Sequence, residues 1–179
     1  MCIRDRFNTF FLLLVIAGNE TTRHSLSHGA LALADNPDEF DRLRANPELI
    51  PSAVEETLRW SSPQLHFRRT AVVDTELRGV PISAGEKVVT WYISANYDET
   101  TFTDPFTLDL GRVPNPHVTF GGGGPHICLG AWLARLEVRV FLEELCQRVR
   151  YLHCSGSPVR IRSNFINGLK YLPLGFEPV

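Results

Sequence analysis

Four consecutive glycines followed by a proline, Gly121-Gly122-Gly123-Gly124-Pro125, constrain this 179-residue chain more than any other feature. Glycine reaches backbone conformations closed to other residues and lets the chain approach another group closely, but each one costs conformational entropy on folding. The run sits inside Phe120-Gly121-Gly122-Gly123-Gly124-Pro125-His126-Ile127-Cys128-Leu129-Gly130. It leads into a periodic segment, Leu129 to Val149, with Leu129, Leu133, Leu136 and Val140 on one side, which predicts a helix. A phosphate-binding loop is the first reading to test, and it fails. No Lys-Ser or Lys-Thr closes the run, His126 and Ile127 break the G-x-G-x-x-G register, and Pro125 removes a donor. Cys128 is what distinguishes the segment from a tight turn. It lies where the loop meets the helix N-terminus, and the unpaired N–H groups and the dipole there stabilise a thiolate.

The rest of the chain reads as helices followed by short strands. Phe7 to Ala34 predicts one long helix, apolar nearly all round at first, as a core helix would be, and then mixed. Asp35-Asn36-Pro37 breaks it, Pro37 opens a short polar helix through Arg44, and Pro51 to Trp60 forms another helix, ended by Ser61-Ser62-Pro63. Phe67 to Val73, Glu76 to Arg78 and Lys87 to Tyr92 are β-branched and partly alternating, and they predict strands of a small antiparallel sheet. Tyr97 to Asn115 predicts a long meandering loop, a length that usually signals function. The tail from Tyr151 has strand-like pieces around Pro158 and Gly168. With no repeat and no linker, helices and sheet are expected to share one core. The fold class is mainly α with a small antiparallel β-sheet (α+β).

Composition bounds the function. Hydrophobic residues make up 44% and charged residues 21%, ordinary for a soluble globular chain. A net charge of -2 without a basic stripe argues against a nucleic-acid partner. Cys2, Cys128, Cys146 and Cys154 form no C-x-x-C pair, which argues against structural zinc and a disulfide scaffold. Charged Met1 to Arg6 followed by apolar Phe7 to Ala17 superficially resembles a secretory signal, but no cleavage pattern follows. The apolar run is also too short to span a bilayer. We therefore expect residues 1–6 to be a non-native leader and residues 7–179 to be one domain opening in the middle of a buried helix, its N-terminal part missing.

A thiolate is what a soft, electron-donating axial ligand to haem iron requires. Gly130 leaves room for a flat macrocycle, and His126 is placed to reach a haem propionate. Phe120, Gly124, His126, Cys128 and Gly130 resemble the haem-binding signature of the cytochrome P-450 superfamily. Phe120 lies one residue further from the cysteine than in the commonest pattern. This longer loop resembles bacterial members that oxidise sterol side chains and methyl-branched lipids. The resemblance implies haem b with Cys128 as metal ligand, and a cytochrome P-450 fold represented from its long central helix onward.

Three constellations fit the same resemblance. Glu56 and Arg59 are an i, i+3 pair on a predicted helix, weak alone but similar to the family's E-x-x-R pair. Arg112 from the meander is the candidate to complete a buried structural network with them. Ala17-Gly18-Asn19-Glu20-Thr21-Thr22 resembles the family's A-G-x-E-T-T motif, which implies proton relay by Glu20 and Thr21 with space left by Ala17. The alternative is a plain bend, with a threonine hydroxyl bonded back to the preceding turn. Arg69, with Arg68 beside it, and His117, after Asn115-Pro116, are further haem-propionate candidates.

The segments expected at the substrate pocket supply Leu14, Val15, Leu65, Phe67, Phe165 and Ile166, an apolar lining with few polar anchors. The resemblance implies a cytoplasmic monooxygenase that uses dioxygen on an apolar, steroid or methyl-branched lipid substrate. A ferredoxin-type or flavin donor would dock on the cysteine side, where Arg135 and Arg139 are candidate contacts. The competing expectation is a non-catalytic fragment that carries the ligand loop without holding haem.

Overall fold

The structure, a computed structural model, describes residues 3–179. Met1 and Cys2 of the expected leader lie outside the described residues, and Ile3 to Arg6 continue the first helix. That helix, α1 (Ile3–Asp35), runs unbroken through Ala17-Gly18. Pro37 opens α2 (Pro37–Ala45), and a 3-10 turn, Pro47–Leu49, leads into α3 (Ile50–Ser61). Proline suits these first turns because its missing N–H has no helical partner there. Helix α3 ends on Ser62 in the left-handed conformation, with φ of 36°.

Strands β1 (His66–Thr70) and β4 (Lys87–Trp91) form one antiparallel pair, and β2 (Thr75–Leu77) and β3 (Val80–Ile82) form a second. The expected strand over Glu76 to Arg78 was displaced. Arg78 and Gly79 both take positive φ, 50° and 81°, which makes them the two-residue turn of a hairpin whose second strand, β3, was not foreseen. A short helix, α4 (Tyr92–Asn96), precedes the meander, and α5 (Ala131–Arg148) follows the cysteine loop. The tail forms β5 (Val149–Cys154) paired with β8 (Leu174–Pro178), and β6 (Val159–Arg160) paired with β7 (Leu169–Tyr171).

The core joins the C-terminal half of α1 (Ala32, Leu33) to Phe40 and Leu43 of α2, Val54 and Leu58 of α3, Val138 and Leu142 of α5, and Leu152 of β5. Leu108 and Leu110 of the meander enter it too, so part of this loop is anchored in the core. Two apolar surfaces lie outside this core. Phe10 to Ile16 of α1, expected in the interior, are 43–61% exposed, because burial on this helix begins only at Glu20. The stripe on α5 is likewise turned outward. Leu133 is 60% exposed and Leu136 54%, while Ala131, Val138 and Leu142 carry the buried face. Among the described residues no helix is long and apolar enough to cross a membrane.

The buried part of α1 docks onto the tail through two histidines. His28 Nε2 donates to the Asn167 carbonyl at 3.0 Å, and Leu169 N–H donates to His24 Nδ1 at 3.3 Å. Burial lowers the pKa of His28 to about 4, from 6.5. Its neutral form is thus favoured by folding, so the stability it contributes is complete above about pH 6.5 and is lost as pH falls toward 4. Urea titrations should show a loss of order 2 kcal/mol between about pH 7 and pH 5 that H28Q reduces. An identical pH dependence in H28Q would rule this contribution out.

Candidate functional site

The cysteine loop is shaped by glycine. Gly121, Gly123 and Gly124 have φ of 92°, 93° and 77°, a region that residues with a Cβ rarely enter. The loop closes on itself: Cys128 N–H donates to Phe120 O at 3.0 Å, Gly121 N–H to Val118 O at 2.8 Å, and Ile127 N–H to Gly124 O at 3.2 Å. Cys128 lies three residues before α5, and its carbonyl accepts from Ala131 N–H at 3.3 Å. Its thiol is free and exposed. A Cβ added at Gly130 would come no nearer than 4.0 Å to the Cys128 sulfur. Ile127 and Leu129 on either side of it in sequence, and Leu133 and Leu136 on the helix that follows, are exposed apolar residues. A soft donor, an open approach and apolar surroundings fit a large flat macrocycle. His126 is exposed on the same loop.

The root of the loop is tied to α3 by a buried network. Glu56, fully buried, accepts from both sides of its carboxylate. Arg59 donates through Nε and Nη2 at 2.8 Å each, Arg112 Nε at 3.1 Å, Asn115 Nδ2 at 3.0 Å and Asp109 N–H at 3.1 Å. Arg59 spends Nη1 on the carbonyls of Asn96 and Pro105, at 2.9 Å each, and its guanidinium faces the Tyr97 ring at 5.0 Å. Arg112 holds the carbonyls of Thr103, Asp104 and Thr107. Sequence reasoning had found these three charged residues but missed the hub beside them. Asn96, fully buried, donates to Ser62 Oγ and Thr119 Oγ1, both at 2.9 Å, and accepts from Val118 N–H at 2.8 Å. It therefore joins the end of α3 to the residues that enter the glycine run. No motif marks it; a lone asparagine gives little signal until its partners are known.

A second tie was also missed. Glu55 receives Arg135 at 2.7 and 2.9 Å and His117 Nε2 at 3.0 Å. Burial pushes its carboxyl up, but the bonds from His117 and Arg135 outweigh that and hold its pKa at about 2. The Arg135 guanidinium lies 4.5 Å from the centre of the Phe120 ring, over the loop. Both ring nitrogens of His117 are engaged, Nε2 by Glu55 and Nδ1 by Thr119 N–H at 3.3 Å, so a haem carboxylate reaches it only in competition with Glu55. Arg135 is thus no free surface cation, and Arg139 pairs with Glu143 at 2.8 Å.

On α1, Thr21 Oγ1 donates to the Ala17 carbonyl at 2.7 Å, the back-bond that a plain helical threonine makes. Glu20 pairs with Arg23 and lies 2.9 Å from His24 Nε2. Ala17 is exposed. Arg69 is exposed, and its Nη1 donates to the neighbouring Arg68 carbonyl at 3.1 Å. Strand alternation separates the two arginines: Arg69 shares a face with Phe67, and Arg68 points the other way. The structure brings two of the three expected pocket segments together, 63–67 and 165–168, while Leu14 to Ala17 of the third are exposed. Leu65 N–H donates to Phe165 O at 2.9 Å, Gln64 bridges to Ile166, and the Phe67 ring meets Phe165 edge-on with centroids 5.9 Å apart.

A family model for cytochrome P-450 matches residues 4–173, and the chain belongs to that family. It is 52% identical over 167 residues to a methyl-branched lipid omega-hydroxylase of Mycobacterium tuberculosis, covering 93% of this chain and 39% of that protein. It is 44% identical to a steroid C26-monooxygenase of Mycolicibacterium smegmatis, again over 93% of this chain and 39% of the relative. Among solved structures, a Mycobacterium marinum cytochrome P-450 in complex with pseudoionone superposes with a TM-score of 0.90 at 49% identity, covering 93% of this chain and 40% of that one. The chain thus spans about two-fifths of the length of the relatives it matches. Helices with small antiparallel sheets, as expected, are the fold shared with those structures.

The network makes a sharp prediction for stability. Glu56→Ala leaves Arg59 buried without a counter-charge and should cost about 3–5 kcal/mol in urea unfolding. Asn96→Ala strands the Val118 amide and should cost about 1–3 kcal/mol. Losses below about 1 kcal/mol in both would contradict the structural role assigned to them.

Proposed function

We propose that Cys128 is the thiolate ligand of haem b in a monooxygenase that inserts one atom of dioxygen into a C–H bond of an apolar substrate. The observation that carries this reading is the free, exposed Cys128 thiol at the close of a glycine-shaped loop, with the loop root fastened to a buried ion network. When bound, haem supplies the activation of dioxygen, and the protein supplies position, polarity and protons. Phe120 and Gly124 shape the loop, and Gly130 keeps the approach to the sulfur open. Arg69 and His126 offer cationic or N–H partners to the haem carboxylates; His117 joins them only by exchanging Glu55. Glu56, Arg59 and Arg112 hold the meander and act on the cysteine through Asn96.

Glu20 and Thr21 are the proton carriers. The Thr21 hydroxyl already donates to Ala17 O, which leaves its oxygen free to accept a proton from a neighbour. Ala17, Leu65, Phe67 and Ile166 would line the pocket with apolar surface, suited to a steroid or methyl-branched lipid. The names of the two mycobacterial relatives support that substrate class. The electron donor is a ferredoxin-type or flavin protein, and the compartment is the cytoplasm.

A second reading is favoured by the outward-facing apolar residues Phe10 to Ile16 and by the two-fifths coverage of the relatives: the chain, as it stands, carries the ligand loop but does not hold haem. Reconstitution with haemin, followed by reduction and carbon monoxide, separates the two. A thiolate-type Soret band that is lost in Cys128→Ser supports the first reading. Haem uptake only by a version extended at its N-terminus supports the second, and uptake that survives Cys128→Ser unchanged would sink the ligand assignment. In the full-length enzyme Thr21→Ala should divert reducing equivalents to hydrogen peroxide. Unchanged coupling would remove Thr21 from the proton route.

A further inference from the structure

We propose that His24 is a positioning residue that ties the Glu20 carboxylate to the segment 165–169, so that a substrate resting on that segment governs the orientation of the acid. The inference rests on the reading of Glu20 as a proton carrier and extends it to a residue that no motif singled out. His24 is 1% exposed. Its Nδ1 accepts from Leu169 N–H at 3.3 Å, which places the ring proton on Nε2. That nitrogen lies 2.9 Å from Glu20 Oε2. The distance is that of a hydrogen bond, the alignment is imperfect, and among the described residues the buried Nε2 has no other partner. A buried donor without an aligned acceptor is rare, and here the acceptor is already beside it. The Glu20 side chain is 40% exposed and its Oε2 also pairs with Arg23, so one carboxylate oxygen stands between the solvent-side arginine and the buried histidine.

The other side of the His24 ring carries the second observation. A Cβ at Gly168 would lie 2.7 Å from His24 Nε2 and 2.9 Å from Cε1, so the backbone of the segment rests directly on the nitrogen that faces Glu20. The same segment would form one wall of the proposed substrate pocket, through Phe165 against Phe67 and Ile166 against Gln64. A shift of that wall is therefore a shift of the His24 ring. Burial, with Arg23 next, lowers the His24 pKa, a shift toward the neutral ring. Glu20 opposes that shift, and the neighbouring His28 faces Arg160.

Two measurements test the link, the first without haem. Ring-nitrogen NMR of the 179-residue chain should show His24 protonated at Nε2 only, with Glu20→Gln and Gly168→Ala each shifting the Nε2 resonance and Glu20→Gln lowering the His24 pKa further. Protonation at Nδ1, or resonances indifferent to both substitutions, would overturn the proposal whatever the chain does with haem. The second measurement uses the full-length holoenzyme and His24→Asn, whose side-chain oxygen can still accept from Leu169 N–H but whose reach toward Glu20 is lost. With the carbon monoxide spectrum unchanged, the ratio of peroxide to product should rise about tenfold and the solvent isotope effect on kcat should increase, short of the ~10²-fold loss expected for removing the acid itself. A purely structural His24 would leave coupling and isotope effect as they were, and that result would also overturn it. Loss of the thiolate spectrum in the unmutated enzyme would instead sink the haem-ligand reading and leave the NMR result standing.

Discussion

Glu56 is the point on which the geometry of the site depends. A carboxylate removed from water is tolerated only if its oxygens are saturated, and five donors from four residues, one on α3 and three on the meander, do that here. Each donor fixes the stretch that supplies it. Arg112 brings in the meander and, through its other nitrogens, three carbonyls of the same loop. Arg59 reaches the end of α4 and Pro105. The long segment between α4 and the glycine run has almost no regular structure, yet it follows one path because these charges leave it no other.

The two glutamates of α3 divide the work. Glu56 anchors the meander, while Glu55, one position before it on the helix, anchors His117 and Arg135. Arg135 belongs to α5 and lies over Phe120, so the residues on both sides of the cysteine loop are referred to the same helix. The glycine-shaped turn itself contributes few side chains. Its stiffness comes from what holds its ends, Asn96 on Val118 and Thr119 before it and Glu55 on Arg135 after it.

Much of this was legible in the sequence because it is written in local or signature-bearing residues. The helix breaks at Pro37 and Pro63, the glycine run before Cys128, and the Glu56–Arg59 spacing all depend on near neighbours. What escaped depends on distant ones. Asn96, Glu55 and His24 owe their importance to partners remote in the chain, and their residue types are common on ordinary surfaces. The hairpin at Arg78-Gly79 went unforeseen because an arginine with positive φ carries no propensity signal. The outward-facing stripes Phe10 to Ile16 and Leu133 to Val140 mislead for another reason. Hydrophobic periodicity reports that a face is apolar, not which neighbour lies against it.

The arrangement of α3 also sets where the chain can change in length. Each residue added to or taken from a helix turns everything beyond it by about 100°. Between Glu55 and Arg59 such a change would swing Arg59 away from Glu56 and present the two glutamates to the wrong partners. No compensating shift in the meander restores five donors at once. The β2–β3 hairpin is built the opposite way: its turn at Arg78 and Gly79 is exposed, and its side chains enter no core cluster. Insertions and deletions between homologous chains should therefore gather at that hairpin and leave the α3 frame untouched.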